Sequence, residues 1–360
     1  MNDHVFISQA LRLAEKGLYT TSPNPRVGCV IVNQDKIVGR GFHVKAGEPH
    51  AEVYALREAG ERALGGTAYV TLEPCSHFGR TPPCADALIS AGVKRVVTAM
   101  QDPNPLVAGS GLAKLKQAGI EVQFGILEAE AIELNIGFVS RMKIGRPWMR
   151  AKLASSLDGK TALLNGQSQW ITGEDARRDV HRLRARSCAM LTGIGTVLQD
   201  DPELTVRMIE VSRQPIRVVI DSRLQIPLTA RILKTPGTLI ATVSQDQIKQ
   251  QQLRDIGAEI IQLPDIDGKV NLDALAKELG KRGFNEVTIE SGAKLNASFL
   301  RVGLIDEIIL YQAPILLGHE AQGLFALPEM QSLSEKIELK LHDVRKVGQD
   351  IRVSTRLTKF

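Results

Sequence analysis

Hydrophobic positions along the chain repeatedly change their period. Short apolar runs bounded by turn residues alternate with stretches where apolar residues recur every three or four positions, the pattern of strands alternating with helices. An amphipathic opening, with Val5, Leu11, Leu13 and Ala14 on its apolar side, predicts a helix. The runs VGCVIV (27–32) and KIVGRGF (36–42) flank Asn33-Gln34-Asp35 and predict a hairpin. A helix is predicted over 50–63, a strand over 67–72, a helix over 84–91 and a strand over 93–99. Helices over 109–118 and 128–142, with a strand over 121–126 between them, complete the first series.

The segment Lys143-Ile-Gly-Arg-Pro147 breaks the pattern, and a second series follows. Strands are predicted over 148–154, 216–221, 238–243, 259–263, 286–290 and 307–313, with a terminal pair near 337–342 and 350–357. One helix is predicted over 174–186, and Ser291-Gly-Ala-Lys leads into a short one. No repeat or low-complexity tract interrupts the order. The expectation is two layered α/β domains in tandem, divided near residue 145.

Composition changes this picture little. The 360 residues are 43% hydrophobic and 24% charged, as in soluble globular proteins, and no apolar run is long enough for a membrane helix. The first residues lack the basic-then-apolar order of a secretory leader, so a cytoplasmic location is expected. The net charge of +5 is spread without basic blocks, which argues against a nucleic-acid partner. Four cysteines in so long a chain do not suggest a disulfide framework. Cys29 and Cys188 sit in apolar runs and read as core residues.

The other two cysteines carry chemistry. His50-Ala-Glu52, Pro74-Cys75 and Pro83-Cys84 supply one imidazole, two thiols and an adjacent carboxylate. Catalytic zinc keeps three protein ligands and one position for water, and the zinc deaminases add a non-ligating Glu as proton shuttle. His50, Cys75 and Cys84 are therefore the expected ligands and Glu52 the expected general acid and base. Any one of these residues alone would read as a helix start or a turn. A structural zinc would want a fourth protein ligand, and no nearby cysteine offers one.

The segment TSPNPRVGCV…GFHVKAGEPHAE…YVTLEPCSHFGRTPPC resembles the deaminase half of the bifunctional riboflavin-biosynthesis deaminase–reductases. Cytidine and transfer-RNA deaminases share its elements, but their cysteines lie close together, whereas SHFGRTPP separates Cys75 from Cys84. The second half resembles the reductase half of the same family through MRAKLASSLDGKTA (149–162), SQWITG (168–173), LTGIGTVLQDDPELTVR (191–207), VVIDSRL (218–224) and ESGAKLNASFL (290–300). The resemblance implies a cytidine-deaminase-like three-layer domain over 1–145, then a dihydrofolate-reductase-like α/β domain over 146–360. It implies Zn²⁺ in the first and NADPH in the second. The reaction implied is hydrolytic deamination of a diamino-pyrimidinone carrying a ribosylamino 5′-phosphate, then reduction of its ribosyl chain.

Matched position by position, Asn24, His43, His77, Arg80 and Asn104 correspond to the family's deaminase pocket. Asn24 also reads as a turn residue between two prolines, and His77 and Arg80 as loop surface. Ser168, Arg184, Leu204, Arg207 and Glu290 match reductase substrate positions. Ala154, Trp170, Thr196, Asp200, Ser222 and Gly292, Ala293, Lys294, Leu295, Asn296, Ala297 and Ser298 match dinucleotide positions. A strand running into Ser-Gly-Ala and a helix suits phosphate, although without the family it is an ordinary strand-to-helix turn. Arg184 and Arg207 read as phosphate clamps. Arg184 also reads as one of five arginines on a solvated helix face, and Asp201 competes with Asp200 for the role of acid.

Two rival readings are a nucleoside or transfer-RNA deaminase with a non-catalytic second domain, and an RNA-binding module with structural zinc. The even charge counts against the first, Glu52 and the missing fourth ligand against the second. A homo-oligomer, taken as a dimer, is expected.

Overall fold

The structure, a computed structural model, describes residues 2–76, 82–105 and 107–358. The chain divides into two compact units, Met1–Gly145 and Arg146–Phe360.

The first unit is built on a five-stranded sheet. Its strands are β1 (Gly28–Asn33), β2 (Lys36–Phe42), β3 (Thr67–Leu72), β4 (Arg95–Met100) and β5 (Glu121–Phe124), in the order β2-β1-β3-β4-β5. The β1–β2 and β1–β3 pairs are antiparallel; β3–β4 and β4–β5 are parallel. Among the described residues six α-helices accompany them: α1 (Asp3–Glu15), α2 (Ala51–Ala59), α3 (Cys84–Ser90), α4 (Ser110–Gln117), α5 (Glu128–Leu134) and α6 (Ile136–Ile144).

Alternation along the strands decides which helix covers which face. Cys29, Ile31, Ala68, Val70 and Val96 point to one side, where Ala51, Ala55 and Ala59 of α2, Leu88 of α3 and Leu115 of α4 cover them. Val30, Val32, Tyr69, Val97 and Ala99 point to the other, against Ile7, Ala10 and Leu11 of α1 and Ala131 of α5. The three layers expected from the resemblance are present.

One expectation fails here. The helix predicted over 128–142 is two helices, because Asn135 breaks it with φ −109° and ψ 19°. Its Oδ1 accepts from the Arg26 N–H at 2.8 Å and its Nδ2 donates to the Arg26 carbonyl at 3.0 Å. A side chain that satisfies distant backbone so fully competes with helix propagation.

The second unit holds a nine-stranded sheet. Its strands are β6 (Trp148–Ser155), β8 (Ala189–Gly193), β9 (Ile216–Ile220), β10 (Thr238–Thr242), β11 (Ala258–Gln262), β12 (Glu286–Ile289), β13 (Glu307–Gln312), β15 (Leu339–Val347) and β16 (Asp350–Leu357). The order is β11-β10-β9-β8-β12-β6-β13-β16-β15, with β7 (Lys160–Ala162) and β14 (Gln322–Gly323) forming a separate pair. Every pairing from β11 to β13 is parallel, and only the terminal hairpin runs antiparallel.

Helices α7 (Glu174–Arg186), α8 (Ile194–Asp200), α9 (Gln247–Asp255), α10 (Leu272–Lys281) and α11 (Ala293–Arg301) cover the two faces. Leu275 and Leu279 of α10 and Phe299 of α11 pack on Met149, Ala151, Leu191, Val218 and Ile289. Val197 and Leu253, from α8 and α9, meet Met190, Val219 and Ile240 on the opposite side.

The strand β8 and helices α8, α9 and α10 were absent from the sequence reading. A parallel strand buried on both faces reads as a plain apolar run, and Cys188-Ala-Met-Leu merged into its surroundings. At the amino ends of the central strands, Arg150 of β6 pairs with Glu286 of β12 and, at 2.6 Å, with Glu307 of β13. All three are buried, so this ion network fixes the register of three adjacent strands at the end opposite the matched positions described below.

Candidate active sites

In the first unit, glycines seat α2 on the hairpin. A Cβ on Gly41 would lie 2.2 Å from the Ala51 carbonyl, and one on Gly39 2.1 Å from that of Ala55. That close approach brings the start of α2 down onto the sheet edge. His50 is the N-cap residue of α2 and Glu52 lies in its first turn. Cys75 follows β3, and Cys84 opens α3.

The three proposed ligands converge. His50 Nδ1 is 3.3 Å from Cys84 Sγ and 3.6 Å from Cys75 Sγ, and all three donor atoms lie within 4.8 Å of one another. Tetrahedral zinc with bonds of about 2.0–2.3 Å sets neighbouring donors roughly 3.5 Å apart, so the set fits the ion. The Cys84 N–H points at Cys75 Sγ from 3.3 Å. Hydrogen bonds from Cys84 and His50 pull the Cys75 thiol down to about 4, against its burial. Cys84 moves the other way, because the anionic sulfur beside it and burial both oppose a second charge. A dication between the sulfurs relieves that conflict.

Glu52 is 3% exposed, and its Oε2 has no hydrogen-bond partner. Burial pushes its carboxyl up to about 7, with His50 pulling down and Cys75 pushing up. A carboxyl poised there can both take and return a proton near neutral pH.

His43 and Asn24 stand beside this cluster. The His43 ring meets that of His50 edge-on, with centroids 5.4 Å apart. Its Nδ1 lies 3.1 Å from the Pro49 carbonyl, which can only accept, so Nε2 accepts from Asn24 Nδ2 at 3.1 Å. Burial lowers its pKa and keeps the imidazole neutral. The turn residue between two prolines is therefore also a ring-orienting residue. Asn104 lies on the loop after β4, while His77 and Arg80 fall outside the described residues.

In the second unit, the matched positions gather at the carboxyl ends of parallel strands, where open α/β sheets bind ligands. Ala154 is the last residue but one of β6, Thr196 follows β8 on α8, Ser222 follows β9 and Glu290 follows β12. Arg184 of α7 reaches Glu290 with two bonds, Nε–Oε1 at 2.8 Å and Nη2–Oε2 at 2.9 Å. Its Nη1 donates to the Thr205 carbonyl at 3.2 Å. The reading of Arg184 as one more solvated arginine fails on that geometry. Arg207 bonds Glu203 at 2.6 Å through Nη1, and its N–H donates to His181 Nδ1 at 3.1 Å. Burial raises the Asp200 carboxyl, with Ser168 pulling the other way. The rival Asp201 is occupied instead, accepting from the Arg231 N–H at 2.8 Å.

The run 292–298 fits a dinucleotide phosphate at its start. Gly292 caps α11 without any side-chain cap, and a Cβ there would meet only open space. Exposed backbone N–H groups at such an end favour an anion. Further along, Asn296 and Ala297 have little side-chain surface to offer a ligand. These residues are 1% and 3% exposed, and Asn296 spends its amide on Ser291 at 2.7 and 2.9 Å. Leu204 is likewise 2% exposed and belongs to the core, which leaves only its backbone for a ligand. Trp170, 70% exposed, stacks under Arg177 at 4.9 Å, and the Ser222 hydroxyl accepts from the Val270 N–H at 3.2 Å.

Comparison with known proteins supplies the rest. Residues 147–353 match the RibD C-terminal domain family, and residues 1–100 match the cytidine and deoxycytidylate deaminase zinc-binding region. Riboflavin biosynthesis protein RibD of Escherichia coli is 50% identical, with 98% of each chain covered. The Haemophilus influenzae protein of that name is 48% identical, covering 98% of this chain and 96% of its own. The chain belongs to the RibD family. An Acinetobacter baumannii RibD structure superposes with a TM-score of 0.92 at 48% identity over 99% of both chains. A Thermotoga maritima deaminase/reductase superposes with 0.88 at 33% identity, also over 99% of both. As a RibD protein, it is a bifunctional enzyme of riboflavin biosynthesis, a zinc-dependent deaminase and an NADPH-dependent reductase.

Two residues of this RibD chain escaped the sequence reading. Glu73, 3% exposed, accepts from four backbone N–H groups: Asp102 at 3.1 Å, Gly109 and Gly111 at 2.9 Å each, and Leu112 at 3.3 Å. It ties the strand that delivers Cys75 to the loop that carries Asn104. A carboxylate beside Pro-Cys gave a faint hint of this, but its partners are 29 to 39 residues away. Lys152 is the other, with Nζ 3.1 Å from Glu290. The two-residue strand period, which puts it on the same face as Ala154, was the available signal.

Proposed function

We propose that the first unit deaminates 2,5-diamino-6-(5-phosphoribosylamino)pyrimidin-4(3H)-one. The second then reduces the ribosyl chain of the product to give 5-amino-6-(5-phosphoribitylamino)uracil. The observation that carries the reading is the meeting of His50, Cys75 and Cys84 beside a buried, partnerless Glu52 oxygen.

In this reading His50, Cys75 and Cys84 hold Zn²⁺, which supplies a water acidic enough to attack a ring carbon near neutral pH. Glu52 would take one proton of that water and give it to the ring nitrogen, then take the second from the hydroxyl now on the ring carbon and give it to the departing amine. Water enters, ammonia leaves, and the carboxyl ends as it began. Asn24 and the neutral His43 hydrogen-bond the ring and ribose, Asn104 shares that task, and His77 with Arg80 takes the phosphate.

For the reduction, NADPH bound by Ala154, Trp170, Thr196, Ser222 and the start of α11 supplies the hydride. Asp200, whose carboxyl burial raises, is the residue placed to donate the proton that completes it. Arg184 fixes the Glu290 carboxylate toward the sugar hydroxyls, and Arg207, its side chain 49% exposed, faces the substrate phosphate. This divides the clamp role suggested for the two arginines.

We take the enzyme as cytoplasmic and homodimeric. Four free cysteines suit a reducing compartment, and Leu341 and Val344, 61% and 52% exposed on the edge strand β15, suit association. No helix among the described residues is long and apolar enough to cross a membrane. The test is to incubate the protein with the pyrimidine substrate and NADPH and follow ammonia and NADPH absorbance together. Ammonia should appear first, and NADPH should fall at the same final stoichiometry. Failure of either signal removes that half of the reading.

A further inference from the structure

The helix α7 carries Arg184 near its carboxyl end, while Ser168 and Trp170 lie on the segment leading into its amino end. Its N-cap residue, Gly173, offers no side chain to bond the free N–H groups there. The cap comes instead from 177 residues further along the chain, where Asp350 Oδ2 accepts from the Gly173 N–H at 2.8 Å. Asp350 is 2% exposed and opens β16, directly after the tight turn Gly348-Gln349. Gly348 has φ 63°, and a Cβ there would come within 2.6 Å of the Asp175 carboxylate in the first turn of α7. The tip of the terminal hairpin is thus fitted against the start of this helix.

Further along α7, Asp179 accepts from the Tyr311 hydroxyl at 2.7 Å and from Arg352 of β16 at 3.1 Å. Val347 of β15 and Tyr311 of β13 pack against Ala176 and Leu183 of the same helix. From its cap, contacts run back to the exposed ring: Arg177 donates to the Thr172 carbonyl at 2.6 Å and lies over Trp170 at 4.9 Å. A 13-residue helix is about 20 Å long and stiff, so what fixes its first turn also fixes Arg184 in its last.

We propose that Asp350 is a positioning residue of the reductase. From the terminal hairpin it caps α7 and thereby holds Trp170 and Arg184 in place for cofactor and substrate. The proposal rests on the reading of Trp170 as a cofactor contact. Asp350 touches neither cofactor nor substrate. It acts as an anion at a helix amino end, which both satisfies an N–H group and complements the helix dipole.

The chain has two tryptophans, so Trp148→Phe leaves Trp170 as the fluorescence reporter in the full-length protein. In that background Asp350→Ala should shift Trp170 emission and increase its quenching by acrylamide. It should raise the KM for NADPH and the dissociation constant for NADPH by about tenfold, the factor that one lost cap amounts to. Ammonia release should stay within about twofold. Asp350→Asn, which keeps an acceptor oxygen, should restore most of the affinity and guards against an alanine variant that fails to fold. Unchanged Trp170 emission and quenching in a folded Asp350→Ala protein overturns the proposal. Altered emission with unchanged NADPH affinity, together with full NADPH affinity in Trp170→Ala, overturns instead the reading of Trp170 as a cofactor contact.

Discussion

Arg184 and Glu290, 106 residues apart in the chain, form a two-pronged ion pair at 2.8 and 2.9 Å just beyond the carboxyl end of β12. Lys152 adds a second cation 3.1 Å from the same carboxylate. Burial opposes charge on Glu290, yet the two cations overcome it and hold the carboxyl well below its ordinary range. Glu290→Gln leaves Arg184 and Lys152 without their anion. Removing one partner of a pair so little exposed costs about 3 kcal/mol. Chemical denaturation should show that loss in the second unit, and NADPH oxidation should fall by at least about a hundredfold while ammonia release persists.

Glu52→Gln keeps the shape of the buried side chain and removes its proton chemistry. Ammonia release should drop by about 10³-fold or more, as expected when a general acid and base is lost. Zinc content by atomic absorption should remain one per chain. Loss of zinc in this variant would mean that Glu52 is a ligand.

Cys75→Ser and Cys84→Ser should each lower zinc content and ammonia release together. Reductase activity on pre-deaminated substrate should be largely kept, because no zinc-site residue belongs to the second unit. A folded variant that loses both activities would show the units to be interdependent.

His181 supplies a pH signature. Burial comes first in lowering its pKa to about 4, and Arg184, Arg207 and Lys152 push the same way. Between that value and the ordinary 6.5 the unfolded chain binds a proton that the folded protein refuses. Stability therefore rises with pH through this window and is lost as pH falls from 6.5 toward 4. His181→Gln, which retains an acceptor for the Arg207 N–H, should flatten the dependence of the second unit's denaturation midpoint on pH in that range.

Glu73→Ala would strand four backbone N–H groups in the loop after β4 and the first turn of α4. Each charge-assisted bond contributes on the order of 1.5–3 kcal/mol before relaxation and water recover part of it. A net loss of about 3 kcal/mol in the first unit is expected in urea denaturation, with a raised KM for deamination because the Asn104 loop loosens.

Much of the first unit could be read from sequence because its determinants are local. A strand of alternating apolar residues declares its period, and His-x-Glu with two Pro-Cys pairs declares its metal by residue type alone. The second unit resisted where information is non-local. The strand β8 is apolar on both faces and so carries no alternation. In sequence Arg184 is one of five arginines on a helix, and only its pairing with Glu290 after β12 sets it apart; Asp201 is separated from Asp200 only by its bond to Arg231. Residues that serve through backbone contacts at a distance, Glu73 and Asp350, leave almost no trace in the sequence around them.

The strand order has a consequence in time. In the first unit the sheet is complete with Phe124, so everything around His50 can assemble once about a third of the chain has been made. In the second, β12 must slot between β6 and β8, both synthesised roughly a hundred residues earlier, and Asp350 comes from the last strand to emerge. Until then β6 and β8 lack the partner that lies between them, an unpaired edge of the kind chaperones attend during translation. A ribosome that stalls before β12 is made would therefore carry a finished hydrolytic site while the oxidoreductase unit is still open at its centre.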